Sequence, residues 1–203
     1  MRRLTRSPGF AIISAHTQVS RPAIAKGSGE PRRVPLEFKI GDKVIYPNHG
    51  LGIIEQIETR PTGEREEEFL RLRIVANDST VMVPRSNTTS VGLRRVISKK
   101  EIEEVYDALK DTKVRVFDDW KGRFQENSDK MRTGSITEVA LVFKSLSHLA
   151  LQKNLSYRER RMLDKAKYLL VSEIAEVERL PADQVEAKLD RAVARGIKQI
   201  KDR

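Results

Sequence analysis

The sequence contains no cysteine, and its only histidines, His16, His49 and His148, are widely scattered. Disulfides and thiolate metal sites are therefore excluded, and the histidines show no metal-ligand spacing. No apolar run approaches the roughly 18–20 residues that cross a bilayer, so no membrane segment is expected. The absence of cysteine is compatible with a cytoplasmic location, which is the location we expect.

The sequence also lacks the local motifs of common enzymes. It has no Walker-type phosphate loop and no glycine-rich dinucleotide fingerprint after a strand. No serine, histidine and acid set shows a recognised signature. The adjacent acidic pairs Asp118-Asp119 and Glu103-Glu104 do not form an acid/base couple, because neighbouring residues on a helix point in different directions. We therefore predict no enzymatic activity, no cofactor, no metal and no small-molecule substrate.

Positive charge is what the chain has in excess. Its 39 lysines and arginines exceed its 29 acidic residues, and the formal net charge is +10. Residues 1–34 contain seven basic residues and one acidic residue, so this segment alone carries a net charge of +6. A surplus of this size favours a polyanionic partner.

Residues 1–34 are predicted to form a disordered basic tail, because Ser, Pro and Gly are frequent and no apolar period is visible. Several interpretations of this segment stay open. It is a solvated tail, or it results from a start codon upstream of the natural one. Alternatively it is a non-specific nucleic-acid arm, or a segment with the composition of an organellar transit peptide.

Residues 35–97 are predicted to form a β domain. Four strands separated by tight turns are expected, and Gly52 within the second strand suggests a bulge or bend. The third strand alternates with period 2, which places Leu70, Leu72 and Ile74 on one face. Short strands of this kind predict a small, strongly bent antiparallel barrel that serves as a binding platform. The expected strands begin at Val44, Leu51, Phe69 and Thr80.

Residues 98–203 are predicted to form an all-α bundle of about five helices, because the apolar period changes to 3.6. Ser98 with Glu101 and Ser156 with Glu159 have the spacing of capping boxes. Ser135 is suited to cap a further helix, and Pro181 is suited to the first turn of the last one. The fold class expected from both halves is α+β.

The only tryptophan, Trp120, lies in the stretch FDDWKGRF, residues 117–124. A lone tryptophan is usually a core residue, and Phe117 and Phe124 are interpreted as core residues here. The charges on both sides of Trp120 favour a position at the surface instead. Lys121 and Arg123 are placed to contact phosphates, which position a protein on nucleic acid without reading its sequence.

Five stretches occur in one order that resembles the CarD family of bacterial transcription regulators, in its short CdnL-like form. The resemblance covers about residues 37–195. The first stretch alone also resembles the polymerase-binding module of the transcription-repair coupling factor. The stretches are FKIGDKVIYPNHGLGIIEQIETR (38–60), VMVPRSN (81–87), VGLRRVIS (91–98), DDWKGRF (118–124) and LSYRERRMLDKAKYLLVSEIAEVE (155–178).

The resemblance implies a Tudor-like β module that binds the β subunit of RNA polymerase, followed by a helical domain that contacts promoter DNA. In the family, a tryptophan enters the minor groove at the upstream edge of the transcription bubble, and Trp120 is the matching residue. Three arginines at the start of a later predicted helix are candidates for a second phosphate contact, and the match favours Arg160 over Arg158 and Arg161. Gln125 stands where relatives can carry a lysine, which removes one expected phosphate contact.

On the polymerase side, the resemblance implies that Arg60 contacts an acidic residue of the β subunit. Glu58 and Thr59 lie on the same strand and are included in this predicted surface. Met82 stands where relatives can carry a second arginine, and Arg85 is the nearby candidate that could replace it. The expected protein is a monomer without catalytic activity. Its promoters and the sign of regulation at each promoter do not follow from the sequence.

A second hypothesis needs no polymerase. The chain could be a general basic DNA- or RNA-binding protein, which would bind nucleic acid alone with a steep salt dependence. Such a protein would not require Trp120, so this residue separates the two hypotheses.

Overall fold

The computed structural model describes residues 37–63, 65–112 and 119–201. The predicted tail, residues 1–34, lies outside this part of the chain, as do Phe117 and Asp118. Residues 35–203 form one compact unit that contains both the sheet and the helices. The fold class predicted from the sequence, α+β, is confirmed.

Five antiparallel strands form one sheet in the spatial order β4-β3-β2-β1-β5. The sheet is not closed into a barrel, since within the described residues β4 and β5 each have a partner on one side only. The fifth strand is only two residues long and has no period that sequence analysis could detect. The strands are β1 (Lys43–Tyr46), β2 (Gly50–Thr62), β3 (Arg65–Ile74), β4 (Thr80–Pro84) and β5 (Arg94–Arg95).

The predicted irregularity of β2 lies at a different residue from the one expected. Gly52 pairs regularly with Val44 on β1 and with Ile74 on β3. The register shifts instead between Ile54 and Gln56, so Glu55 is the residue at the bulge. A bulge inserts one extra residue and bends the strand, which allows the long β2–β3 hairpin to curve.

Alternation along β3 places Leu70, Leu72 and Ile74 in the buried layer, as the period of 2 predicts. The small core of the β module combines strand residues directed to this face with Phe38 and Leu93, which lie outside the strands. Its members are Phe38, Val44, Ile54, Leu70, Leu72, Val83 and Leu93.

Five helices follow the sheet: α1 (Lys99–Lys110), α2 (Trp120–Arg132), α3 (Ile136–Gln152), α4 (Tyr157–Glu178) and α5 (Ala182–Lys201). The capping boxes predicted at Ser98 and Ser156 are both present, and the Ser135 hydroxyl caps α3. Each cap satisfies backbone N–H groups that the first turn of a helix leaves without a partner. Within the described residues, none of these helices has the length and apolar character needed to cross a bilayer.

A buried ion pair joins the sheet to the bundle. Two nitrogens of Arg94, Nη1 and Nη2, donate to the two carboxylate oxygens of Glu173 at 2.5 and 2.9 Å. The backbone N–H of Ile97 donates to the same carboxylate at 3.0 Å, and Arg94 Nε donates to the carbonyl of Gly134 at 2.7 Å. Since Glu173 is only 2% exposed, this cluster fixes β5 against α4 and against the loop before α3.

Pro47 adds a second contact between the two parts. A Cβ at Gly134 would lie 2.9 Å from Pro47 Cγ, and a Cβ at Gly92 would lie 3.0 Å from the same atom. Both glycines also have positive φ, at 72° and 73°, which glycine adopts without steric cost. The turn after β1 therefore packs tightly against the bundle.

Gly196→Ala is expected to lower the free energy of unfolding by about 1–3 kcal/mol, the usual cost of overpacking. An alanine Cβ at this position would lie 2.5 Å from the Leu109 carbonyl oxygen, which is backbone and cannot rotate away. This clash outweighs the roughly 1 kcal/mol that alanine normally gains over glycine inside a helix. Urea unfolding followed by circular dichroism measures the change.

Gly122→Ala in α2 is the matched control, because a Cβ there would meet only Asp119 Oδ2 at 3.4 Å. This variant should be neutral or slightly more stable than the wild type. Equal effects of the two substitutions would show that the close approach of α5 to α1 does not constrain Gly196.

Candidate nucleic-acid interface

Trp120 is the first residue of α2, and its side chain is 49% exposed. A tryptophan is well buried on average, so this degree of exposure is informative. The interpretation of Trp120 as a core residue is thereby excluded. Trp120 is not a member of the buried core of the bundle.

Asp119 fixes the backbone at the start of α2. Its carboxylate accepts hydrogen bonds from the backbone N–H of Gly122 at 2.9 Å and of Lys121 at 3.2 Å. These two bonds hold the pKa of Asp119 below its usual value, and the bond from Gly122 has the larger effect. The N-cap therefore stays ionised at neutral pH and anchors the turn that carries Trp120.

Arg123 occupies a different environment from the one predicted. Its side chain is 3% exposed, and Nη2 and Nε donate to Glu159 Oε1 at 2.8 and 3.0 Å. A phosphate would have to displace this buried carboxylate before it could contact the guanidinium. The structure therefore corrects the prediction of a phosphate contact: Arg123 links α2 to α4.

Glu159 has two structural roles, since it completes the capping box with Ser156 and also binds Arg123. Burial by itself raises the pKa of a carboxyl group. Here the hydrogen bonds from Arg123 and Ser156 outweigh burial, so the pKa of Glu159 lies below its usual value. The first turns of α2 and α4 are held together by an ionised pair.

The other residues predicted to contact DNA lie at the surface. Lys121 is exposed beside Trp120, and Arg160 is exposed on α4. Gln125, which replaces an expected lysine, donates to Asp129 at 3.0 and 3.1 Å. Lys121 and Arg160 are therefore accessible to a phosphate, whereas Gln125 provides no charge.

An open groove runs between α2 and α4, with a cavity volume of about 940 Å³. Phe124, predicted as a core residue, is only half-buried and lines this groove. Four cations line the groove as well, namely Arg132, Arg158, Arg161 and Lys165. Among the described residues, no carboxylate belongs to the lining. Arg160 is not part of it.

Arg158 and Arg161 were predicted only as alternatives to Arg160, and Lys165 and Tyr157 were not predicted as contacts. A signal was present, because positions 158, 161 and 165 have the i, i+3, i+7 spacing of one helix face. Arg160 falls on another side of the helix. Without the position of α2, the sequence could not tell which side faces a partner.

The residues predicted to contact polymerase lie at the outer end of the β2–β3 hairpin and beside it. Arg60 Nη2 and Nε donate to Glu58 Oε2 at 2.6 and 2.9 Å, and both side chains belong to one face of β2. Thr59 is exposed between them and is paired in register with Glu68 on β3. Arg85 Nη1 donates to this same Glu68 at 2.6 Å. The structure thus brings Arg85 close to β2, which the sequence could not show.

Met82 is half-buried and lies directly opposite Arg71 of β3. A guanidinium group is therefore present next to the position where the expected arginine is missing. Arg71 Nη1 donates to Gln56 Oε1 at 3.4 Å, so the Arg71 side chain extends towards β2.

Comparison with known proteins assigns both halves of the chain. Residues 38–97 match the family model described as "CarD-like/TRCF RID domain", and residues 104–190 match the one described as "CarD, C-terminal domain". A protein of Bacillus subtilis (strain 168), named "Putative transcription factor YdeB", is 32% identical over 150 residues. This similarity covers 74% of the present chain and 98% of the relative.

Proposed function

Because this chain belongs to the CarD family of transcription regulators, we propose that it acts on RNA polymerase at promoters. Its β module binds the β subunit of the polymerase. Its helical part inserts Trp120 into the minor groove at the upstream edge of the bubble and thereby stabilises the open complex. The exposure of Trp120 at the start of a capped helix is the observation that carries this proposal.

Wedging favours the opened promoter for an energetic reason. An apolar side chain inserted at a base step partly unstacks it, which costs a few kcal/mol in intact duplex. At the edge of a bubble the step is already distorted, so the same insertion costs less there. A ligand that binds one state better shifts the equilibrium towards it, and a difference of 1.4 kcal/mol corresponds to about a tenfold shift.

The surroundings of Trp120 suit this role. The Asp119 cap and the pair formed by Arg123 and Glu159 hold its backbone at a fixed place on the bundle. Lys121 and Arg160 are exposed and available to contact phosphates. Such contacts position the protein without specifying sequence, which suits a regulator that acts at many promoters.

The hairpin surface formed by Glu58, Thr59, Arg60 and Arg85 is the proposed contact with polymerase. Arg60 is exposed, and its ion pair with Glu58 lies at the protein surface. Exposed ion pairs contribute little to stability, so an acidic residue of the β subunit can replace Glu58 at small cost. The guanidinium would then form a charge-assisted pair with its partner.

The two contacts reinforce each other because they belong to one compact unit. Arg94, Glu173 and Pro47 fix the β module against the bundle. Once the module has bound polymerase, Trp120 is held at a high effective concentration near the bubble. Weak affinity for free DNA is therefore compatible with a large effect on initiation.

A general nucleic-acid-binding function remains the second candidate, and the acid-free groove between α2 and α4 is the observation that favours it. This function requires neither polymerase nor Trp120. The lifetime of open complexes, measured with and without the protein on a ribosomal-type promoter with the cognate polymerase, separates the two functions. A protein that binds nucleic acid but leaves this lifetime unchanged would have the second function.

Arg60→Glu is expected to weaken binding to RNA polymerase by at least about tenfold, because it replaces an attractive charge with a repulsive one next to an acidic partner. Binding of the fluorescently labelled protein to core polymerase, followed by anisotropy, measures the change. Lys153→Glu, an equally exposed reversal in the bundle, is the control and should bind like the wild type. Equal affinities of the two variants would exclude Arg60 from the interface.

A further inference from the structure

Tyr157 is the first residue of α4 and is 74% exposed. The proposed contacts with polymerase and with the duplex do not use it. The guanidinium carbon of Arg161 lies 5.8 Å from the centre of its ring, and Arg161 Nη1 lies 3.4 Å from its hydroxyl. This cation–π contact holds the ring over the groove between α2 and α4, which Tyr157 also lines.

The groove is suited to a chain of phosphates. Arg158, Arg161 and Lys165 lie on one face of α4 and extend over about 10 Å, given a rise of 1.5 Å per residue. No ion pair between these three cations and a carboxylate is present in the described part of the chain. Arg132 faces them from the end of α2. Among the described residues, these three α4 cations therefore have no carboxylate in an ion pair, whereas Arg132 Nη1 lies 3.4 Å from Asp129 Oδ1.

The cations also repel one another. Burial, and after it the charge of Arg161, holds the pKa of Lys165 below its usual value. An anion bound between the two side chains would relieve this repulsion and raise the pKa of Lys165 again. The groove is thus electrostatically complementary to an anionic ligand.

Tyr157 and Trp120 lie at the same end of the pair of helices. Trp120 is three residues before Arg123, and Tyr157 is two residues before Glu159. Since Arg123 and Glu159 are joined by a bond of 2.8 Å, the two exposed aromatic residues begin neighbouring first turns.

We propose that the groove between α2 and α4 binds a single strand of nucleic acid, with a base stacked on Tyr157 and phosphates held by Arg158, Arg161 and Lys165. Exposed aromatic rings along a basic groove are the usual means of binding single strands. A duplex offers only its backbone and its groove edges, because the faces of its bases are stacked. Identification of this ligand as the promoter strand freed beside Trp120 rests on the function proposed above.

The first test uses the full-length protein without polymerase. Its affinity for a fluorescent thymidine oligonucleotide and for a duplex of equal length is measured by anisotropy at low salt. Tyr157→Ala should bind the single strand at least fivefold more weakly, the lower limit for loss of one stacked base, and the duplex unchanged. Tyr157→Phe, which keeps the ring, should bind like the wild type. Tyr168→Ala, an exposed tyrosine elsewhere on α4, is the matched control.

The salt dependence distinguishes stacking from charge. For a single strand, each phosphate contact contributes a slope of about 0.7 to the fall of log affinity with log salt. Arg161→Gln should therefore lower this slope by about 0.7, whereas Tyr157→Ala should leave the slope unchanged while lowering the affinity. Arg191→Gln removes an exposed charge from α5 and should change neither quantity.

Two results would overturn the inference. One is that the wild-type protein does not prefer the single strand to the duplex, or that this preference is unchanged in Tyr157→Ala. The other is tighter binding of uridine RNA than of DNA, which would exclude the promoter strand as the ligand. The proposed function fails separately, if Trp120→Ala leaves open complexes as stable as the wild type does. If Tyr157→Ala binds the single strand normally and Trp120→Ala has a strong effect on open complexes, single-strand binding in the groove is wrong and the proposed regulatory function stands.

Discussion

Trp120→Ala is expected to abolish most of the stabilisation of the promoter open complex, with a lifetime at least about tenfold shorter than with the wild type. The reason is that the proposed wedge places the indole at the distorted base step, where its insertion costs less than in intact duplex. Loss of 1.4 kcal/mol of this differential interaction already corresponds to tenfold. The measurement is the dissociation rate of open complexes after addition of a competitor, with cognate polymerase and each variant at saturation.

The design of this experiment depends on the exposure of the ring. Because Trp120 is half-exposed and outside the buried core, its replacement should leave the fold and the binding of polymerase intact. Trp120→Phe should retain part of the effect, since a smaller flat ring can still enter the step. Tyr168→Ala removes an exposed aromatic ring elsewhere and should act like the wild type. Full activity of Trp120→Ala would reject the wedge.

Arg123→Met is expected to lower the free energy of unfolding by about 3–5 kcal/mol at neutral pH, the usual cost of leaving one partner of a buried ion pair alone. Glu159, 5% exposed, would lose the cation that lies 2.8 Å from it. Urea unfolding followed by circular dichroism measures the loss. Lys130→Met breaks the more accessible pair with Glu126 on the same helix, and should cost only about 0.5 kcal/mol.

The loss caused by Arg123→Met should shrink as the pH falls. In the wild type the folded-state pKa of Glu159 is below the unfolded value, so its contribution is full above the unfolded pKa. That contribution disappears only as the pH falls through the lowered folded value. In the variant, burial still raises the pKa of Glu159, but the hydrogen bond from Arg123 that lowers it is gone. Glu159 therefore becomes protonated at a higher pH, and this protonation removes the buried charge. A loss below about 1 kcal/mol at neutral pH would contradict this account.

Removal of both charges provides a second check. Arg123→Met combined with Glu159→Met leaves no buried charge, and such replacements are often nearly neutral. The double variant should therefore recover much of the stability lost in Arg123→Met, although the capping box with Ser156 is also lost. If the double variant instead loses the sum of the two single losses, the pair is not coupled.

Local patterns in the sequence predicted the elements that depend on near neighbours. Ser98 and Ser156 marked the starts of α1 and α4, because a capping box needs only residues three positions apart. The period of 2 in β3 identified its buried face. The family, too, was evident from stretches such as DDWKGRF, and the comparisons confirm it.

Features that join distant segments were predicted poorly. The bulge at Glu55 and the short strand β5 depend on strand pairing, and neither leaves a local signal. Arg123 was predicted to lie at the surface as a phosphate contact beside Trp120. Its burial is stabilised by Glu159, which lies 36 positions away.

The sequence by itself determined the order of the four longer strands and of the helices, and the starts of α1, α3 and α4, because these follow from spacings within a turn or a strand. It also determined the family, through stretches of matching residues. Only the tertiary structure decided which charges are buried in pairs and which remain at the surface. A charge is buried at low cost only where an opposite charge or hydrogen-bonding groups of another element lie within hydrogen-bond distance. That condition placed Arg123 against Glu159. Within the part of the chain that the structure describes, Arg158, Arg161 and Lys165 have no carboxylate partner and lie along an open groove.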